Sequence, residues 1–415
     1  MQGDGFLCFS GADSIMKDTK EPKKANRLNE MLTSAAGVEK LEGFNLHTFF
    51  SGVLEKRSAD EIENFFAAGT ARTTPDIRTV STDYPKPWLF ARILVLVGIL
   101  YFLFKTLFEM SGEIKVLPGA FMIGVFAVPL SMLILFAEMN IPRNISVYTV
   151  SKAVLFGAVS SFALTFIFND VLANNLSREI LEWLQASAAG LTEEPAKLLC
   201  VIPFLYIKRY KYKLNGFLLG AAVGAGFTIF ESLGYAFSEM VNTTYRLSEG
   251  VGYNFNTSLN VGFLSMFESI HLRGICALFC THIHWTAIAA FAIWRVKGDQ
   301  DFRFSMFFDT RFLRLFCVPV LIHMTWNSGW KPDPLFWAID IKMLLCAAVT
   351  WFFVFALLNE GLKEIREEKA RLAEEDEAAE EEAEEEEEEI AAAAVEKKTK
   401  TPAKPRRSSR KKAEE

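Results

Sequence analysis

The chain has 415 residues, is 51% hydrophobic and carries a formal net charge of −6. These averages conceal two materials: residues 88–358 are mostly apolar runs, while 1–87 and 359–415 are polar. Runs long enough to cross hydrocarbon exclude an open sheet, because lipid leaves no water for unpaired backbone groups, so the expected fold class is an all-α polytopic membrane helix bundle.

In chain order, residues 1–87 read as a polar, partly helical region with flexible ends. Cys8 lacks the long apolar run of a signal peptide, so the first span is expected as an uncleaved anchor. A helix is expected over 45–56. Ser58-Ala-Asp-Glu61 has the form of a capping box, in which Ser58 caps the helix and Glu61 reaches back. Ile62, Phe65 and Phe66 follow, and Gly69 can end that helix. Residues 70–87, rich in Thr, Ser and Pro, read as a linker.

A span takes roughly 20 mainly apolar residues, which gives about eight in 88–358. They fall near 88–108, 117–138, 147–168, 189–207, 214–237, 273–295, 312–329 and 336–358. The span with Glu193 is short and the one at 312–329 is borderline, so seven is the alternative count. The 38 Phe residues suit a lipid-facing surface. Five of the six Cys lie in these spans without metal-ligand spacing and read as small apolar side chains. Residues 174–188 read as an interfacial helix, and 238–272 as an outer loop polar enough to face solvent. The tail from Glu374 to Glu389 is almost all acid, and Lys397–Lys412 is basic. The tail reads as a solvated, low-complexity segment, with no nucleic-acid partner expected.

Basic residues set the orientation. Lys208, Arg209, Lys211 and Lys213 fall between spans four and five, and Arg295, Lys297, Arg303, Arg311 and Arg314 between six and seven. The opposite loops hold few, among them Arg178, Arg246 and Arg273. Both termini are therefore expected in the cytoplasm.

The chemistry sits in the apolar runs. Glu193, Glu194 and Lys197 open the fourth, Glu231 lies in the fifth, His282 in the sixth, and His323 with Asn327 in the seventh. An ionisable group costs about 2.5 kcal/mol or more at a helix centre, so several in separate helices are expected to work together. The bland alternative is interhelical glue, worth about 0.6 kcal/mol per contact. Counted from the basic residues at about 1.5 Å per residue, these groups reach overlapping depths, roughly 14–27 Å up. Gly216, Gly220, Gly224, Phe227 and Glu231 form one stripe, so Glu231 should face another helix at close approach. Lys197 is four residues from Glu193 and can neutralise it, leaving Glu194 to face another partner. His284 should point elsewhere, and His271 should lie at the outer interface. Glutamates and histidines in a poorly solvated cluster suit general-base hydrolysis or metal binding. A proton-coupled transporter using the same residues is the alternative from another class.

Glu193-Glu194-Pro-Ala-Lys197 resembles the E-E-x-x-K motif of PrsW-type intramembrane proteases. Phe227-Thr-Ile-Phe-Glu231 resembles their F-x-x-x-E-N motif, with Ser232 in place of Asn. His282-Ile-His-Trp285-Thr286-Ala and His323-Met-Thr-Trp326-Asn327 are similar to the two later histidine motifs. The match covers about 190–330 and extends to the wider CAAX-protease and bacteriocin-processing superfamily. The resemblance implies an intramembrane peptidase of a bacterial inner membrane, acting in the outer half of the bilayer on single-pass substrates such as anti-sigma factors. It implies Glu194 as the water-activating carboxylate and Glu193 paired to Lys197. Glu231, His282 and His323 would complete the site, with Asn327 holding the oxyanion and Phe227 and Ser232 in support. Glu194, Glu231, His282 and His323 would hold one divalent ion such as zinc, if a metal is used.

Overall fold

The computed structural model describes residues 23–399 apart from 40, 42, 337 and 338. Cys8 and the basic segment from 400 onward lie outside the described residues. The helices are α1 (Lys23–Ala36), α2 (Leu46–Phe49), α3 (Ala59–Ala67), α4 (Leu89–Ser111), α5 (Leu117–Met139), α6 (Val147–Phe156) and α7 (Phe162–Asn175). They continue as α8 (Arg178–Leu184), α9 (Ala189–Leu205), α10 (Lys213–Tyr245), α11 (Phe255–Phe279), α12 (His282–Lys297), α13 (Thr310–Trp326) and α14 (Ile341–Thr399). One short antiparallel pair, β1 (Pro334–Phe336) and β2 (Ile339–Asp340), precedes α14.

Among the described residues, six helical stretches are long and apolar enough to cross a membrane: 89–111, 114–139, 147–175, 213–250, 255–297 and 341–392. Two of the eight expected spans, α9 and α13, have 17 residues each, about 26 Å of helix. Both pack on α12. The run at 147–175 is α6 and α7 joined through a π-turn at Gly157–Ser161.

Two expectations change. The span expected at 273–295 is not one helix: Cys280 and Thr281 are extended, at φ −164° and −151°, and split it into α11 and α12. The supposed outer loop 238–272 is mostly helix, formed by the end of α10 and the start of α11. Its polar residues hide an apolar face, Phe263, Phe267 and Ile270, at helical spacing. That face packs against Tyr101 and Phe108 of α4 and Leu117 of α5. The helix expected over 45–56 is only α2 followed by a 3-10 turn at Ser51–Leu54.

The capping box forms as the spacing requires: Ser58 Oγ accepts from Glu61 N–H and Glu61 Oε1 from Ser58 N–H, each at 3.2 Å. Glu138 supplies a cap that spacing does not reveal. Its carboxylate accepts from the N–H groups of Trp88, Leu89 and Phe90 at 2.7, 2.8 and 3.0 Å. A carboxylate there answers both the unpaired donors and the positive end of α4.

The polar N-terminal segment and the start of the tail lie at the same end of the bundle as the basic loops. Arg314 donates to Ala35 O at 3.0 Å, Lys363 pairs with Glu39 at 2.7 Å, and Lys211 pairs with Glu368 at 2.6 Å.

The bundle is organised on α10, whose glycine stripe faces α12. A Cβ on Gly220 would collide with the carbonyl oxygen of Thr286, and one on Gly224 with that of His282. The stripe thus sets the distance between α10 and the first turn of α12. Gly224→Ala is expected to destabilise the protein by about 1–3 kcal/mol, the cost of overpacking. Gly234→Ala, with open space at its Cβ position, is expected to be neutral or slightly stabilising. Thermal unfolding in one detergent compares the two, and equal midpoints would contradict the close-approach reading.

Candidate active site

Three helix ends remote from the basic loops and the middle of α10 meet at one cluster. The first half of α9 brings Glu193, Glu194 and Lys197; Pro195 lies inside the helix, where it leaves the Leu191 carbonyl without its i+4 donor. α10 brings Glu231 from its second half. The break before α12 makes His282 the first residue of that helix, and α13 carries His323 in its last turn, with Asn327 as its C-cap. A single helix over 273–295 could not have turned His282 toward α9 in this way.

Lys197 is wholly buried, and its Nζ donates to Glu194 Oε1 at 2.6 Å. Glu193 Oε2 is 3.8 Å from the same nitrogen. The pairing expected from spacing is therefore shared, and the shorter bond goes to the other glutamate. Both carboxylates are on α9, but only Glu194 turns fully inward, where it is 0% exposed. Its Oε1 also lies 2.8 Å from His323 Nδ1. Glu231 Oε2 lies 2.9 Å from His282 Nε2. Each imidazole thus has one nitrogen on a carboxylate, which directs its other nitrogen inward.

The inward nitrogens converge on Glu193. His282 Nδ1 is 3.7 Å and His323 Nε2 is 3.8 Å from Glu193 Oε2. The three side chains form a group whose ligand atoms lie within 4.8 Å of one another. Glu193 Oε2 is buried and has no hydrogen-bond partner among the described residues. Two imidazoles and a carboxylate with a free oxygen match the donor set of a catalytic zinc site, which keeps a fourth position open. A carboxylate on the outer nitrogen of each imidazole is the usual support for such ligands. The residues present therefore fit a divalent ion, with Glu193 facing the imidazoles where the sequence suggested Glu194 and Glu231. Lys197 Nζ is 2.7 Å from His282 Nδ1, the nitrogen an ion would take. It has Glu194 as a second acceptor.

Aromatic side chains fix the rings. Trp285 stacks on His323 at 4.5 Å between centroids, and Phe227 meets His282 edge-on at 4.8 Å. Lys197 Nζ lies over the Phe227 ring at 4.7 Å. Asn327 Nδ2 is 3.1 Å from His323 Nε2, at the mouth of the cluster. A half-open cavity of about 490 Å3 adjoins these groups and is lined by Glu193, Glu231, Arg273, His282, His323 and Asn327, among others. Glu194 is not part of its wall.

Arg273 is the site residue that sequence reading missed. It was counted only as a basic residue near the outer face. Its guanidinium bonds the Glu231 carboxylate, and its Nε donates to Ser232 Oγ at 2.9 Å. The signal available was its position beside an apolar run that also holds His282. The three other histidines lie apart: His284 packs between Phe136 and Trp351, His271 against Phe102, and His47 is on α2.

Among known proteins, neither the curated sequences nor the solved structures gave a match. A family model described as PrsW family intramembrane metalloprotease matches residues 146–358, just over half of the chain. That stretch contains every residue of the cluster, so the chain belongs to the PrsW family of intramembrane metalloproteases.

Proposed function

We propose that this membrane peptidase cuts single-pass membrane proteins of the anti-sigma-factor type, with Glu193 as the carboxylate that takes the proton of the attacking water. The observation that carries the reading is the convergence of Glu193, His282 and His323 on the wall of one polar cavity. Water attacks the scissile carbonyl carbon as its proton passes to the Glu193 carboxylate. That proton then goes to the departing amine nitrogen as the carbon–nitrogen bond breaks. Asn327, which cannot titrate, offers its Nδ2 donors to the oxyanion. The resemblance implies the base role for Glu194. Its confinement between Lys197 and His323, away from the cavity, supports an orienting role instead.

His282, His323 and Glu193 through its Oε2 would hold the family's metal, which would leave Glu193 Oε1 to take the proton, and this donor set favours zinc. When bound, the ion would polarise the carbonyl and the water as a Lewis acid. Glu231 and Glu194 accept the N–H of each ring's outer nitrogen and so turn the inner nitrogens toward Glu193, where an ion would displace Lys197 Nζ and Asn327 Nδ2 from them. Arg273 holds Glu231 in that role. The basic loops, both described polar segments and the remote cluster support cytoplasmic termini and an active site in the outer half of a cell membrane such as a bacterial inner membrane. The transporter alternative uses the same residues. Their closure into one cluster favours chemistry over a path across both leaflets.

In liposomes with a single-pass reporter, Glu193→Gln is expected to lose about 10²–10⁴ of the cleavage rate. Glu194→Gln should act mainly by weakening metal binding, by about 10–100-fold. Rates for Glu193→Gln near those of the parent would overturn the assignment. Chelation should abolish cleavage, zinc should restore it, and mass spectrometry should find one metal per chain in the active protein. Full cleavage by metal-free protein would exclude a metal role. Arg273→Ala should weaken zinc retention in chelator competition, with partial rescue by Arg273→Lys. Unchanged retention would show that Arg273 serves folding alone.

A further inference from the structure

α10 has a second functional face. At about 100° per residue, Leu218, Ala225 and Ile229 point some 120–160° away from Glu231. They form one wall of a separate, half-open cavity of about 480 Å3 bounded by α5 and α6. Its rim includes Phe126, Leu130 and Leu155, which are 37%, 40% and 67% exposed and therefore face the bilayer. At the basic end, Phe65 and Phe66 of α3 close it from the polar N-terminal segment. That segment is seated closely: Gly69, at φ +92°, lies where a Cβ would collide with the Ile145 carbonyl.

Arg143 stands at this end and also borders an adjoining polar cavity with Lys86 and Thr79. Its backbone is left-handed, with φ 45°, a conformation that costs a non-glycine residue of order 1 kcal/mol or more and calls for an explanation. The surrounding turn is anchored to sustain it. Asn144 Nδ2 donates to Arg209 O at 2.9 Å and to Asn215 Oδ1 at 3.1 Å, in the buried interior. Arg143 is exposed, and its side chain makes no hydrogen bond or close ion pair among the described residues; the buried Glu138 carboxylate, which borders the same polar cavity, is near enough to feel its charge. The nearest aromatic neighbour of the Arg143 guanidinium is the Phe65 ring at 5.9 Å. The acids of the polar cavity are already engaged: Glu138 by three backbone donors and Asp83 by Ser81 Oγ at 3.1 Å.

We propose that this slot binds one anionic glycerophospholipid from the leaflet on the basic side, with an acyl chain between α5 and α6 and the phosphate on Arg143. The slot offers almost no partners for a peptide backbone, which could not leave its polar groups unpaired there. An acyl chain has none to satisfy. The unpaired guanidinium at the interface supplies the charge complement and can grip a phosphate with two donors. The inference is independent of the peptidase chemistry, since none of these residues lies in the cluster.

The test uses the full chain in nanodiscs of phosphatidylcholine doped with phosphatidylglycerol, read by native mass spectrometry of the lipid retained on extraction. The parent should keep one phosphatidylglycerol per chain in preference to phosphatidylcholine. Arg143→Gln should weaken that preference roughly fivefold, the value of one interfacial cation, with unchanged thermal unfolding in pure phosphatidylcholine. Val150→Trp, which fills the slot, should remove the retained lipid altogether. Equal retention of the two lipids by the parent, or equal preference in Arg143→Gln, would overturn the proposal. If Arg143→Gln unfolds, Val150→Trp carries the decision: undiminished retention of phosphatidylglycerol by that variant would overturn the proposal.

Discussion

A buried ammonium holds the site together. Lys197 is wholly enclosed and reaches Glu194, Glu193 and His282 at 2.6, 3.8 and 2.7 Å. A charge taken out of water is tolerated only when paired and hydrogen-bonded. Its presence lets two adjacent glutamates enter the bundle. Glu193, Glu194 and Glu231 bring three formal negative charges, and Lys197 and Arg273 return two positive ones. One negative charge remains uncompensated when both imidazoles are neutral. That surplus gives the cluster an electrostatic reason to accept a cation beside Glu193.

Packing then decides where the charged groups point. The glycine stripe of α10 brings its backbone against the start of α12, and the extended pair Cys280–Thr281 lets α12 begin there. Together they place His282 between Glu231 and Glu193. Trp285, one turn further along, stacks on His323 and couples α12 to α13. The same α10 presents its other side to the apolar slot. One helix thus joins the peptidase cluster to a lipid-facing surface.

Much of this was legible in the sequence. Long apolar runs specify a helical membrane bundle, because no other backbone arrangement satisfies itself in lipid. The glutamates and histidines stood out because each is costly where it lies. Their overlapping depths followed from helical rise and the basic loops. Ser58–Glu61 was readable as a cap because both bonds are local. Glu138 and Arg273 were not, because their partners lie 48–50 and 41–42 residues away. The helical hairpin of α10 and α11 was misread as loop because its polar residues outweighed, by composition, a narrow apolar face.

The sequence by itself determined the class of fold, the set of chemical groups and the helices that carry them. These depend on composition and short-range spacing. Only the tertiary structure decided how the glutamate pair divides. Spacing allows Lys197 to reach either carboxylate, since i,i+3 and i,i+4 neighbours are both within range. Packing of α13 brings His323 against Glu194, which draws that carboxylate inward and leaves Glu193 on the cavity wall. The physical reason is that a helix fixes the direction of each side chain only relative to its own axis. Which of two adjacent carboxylates is shut away depends on the neighbours that surround it.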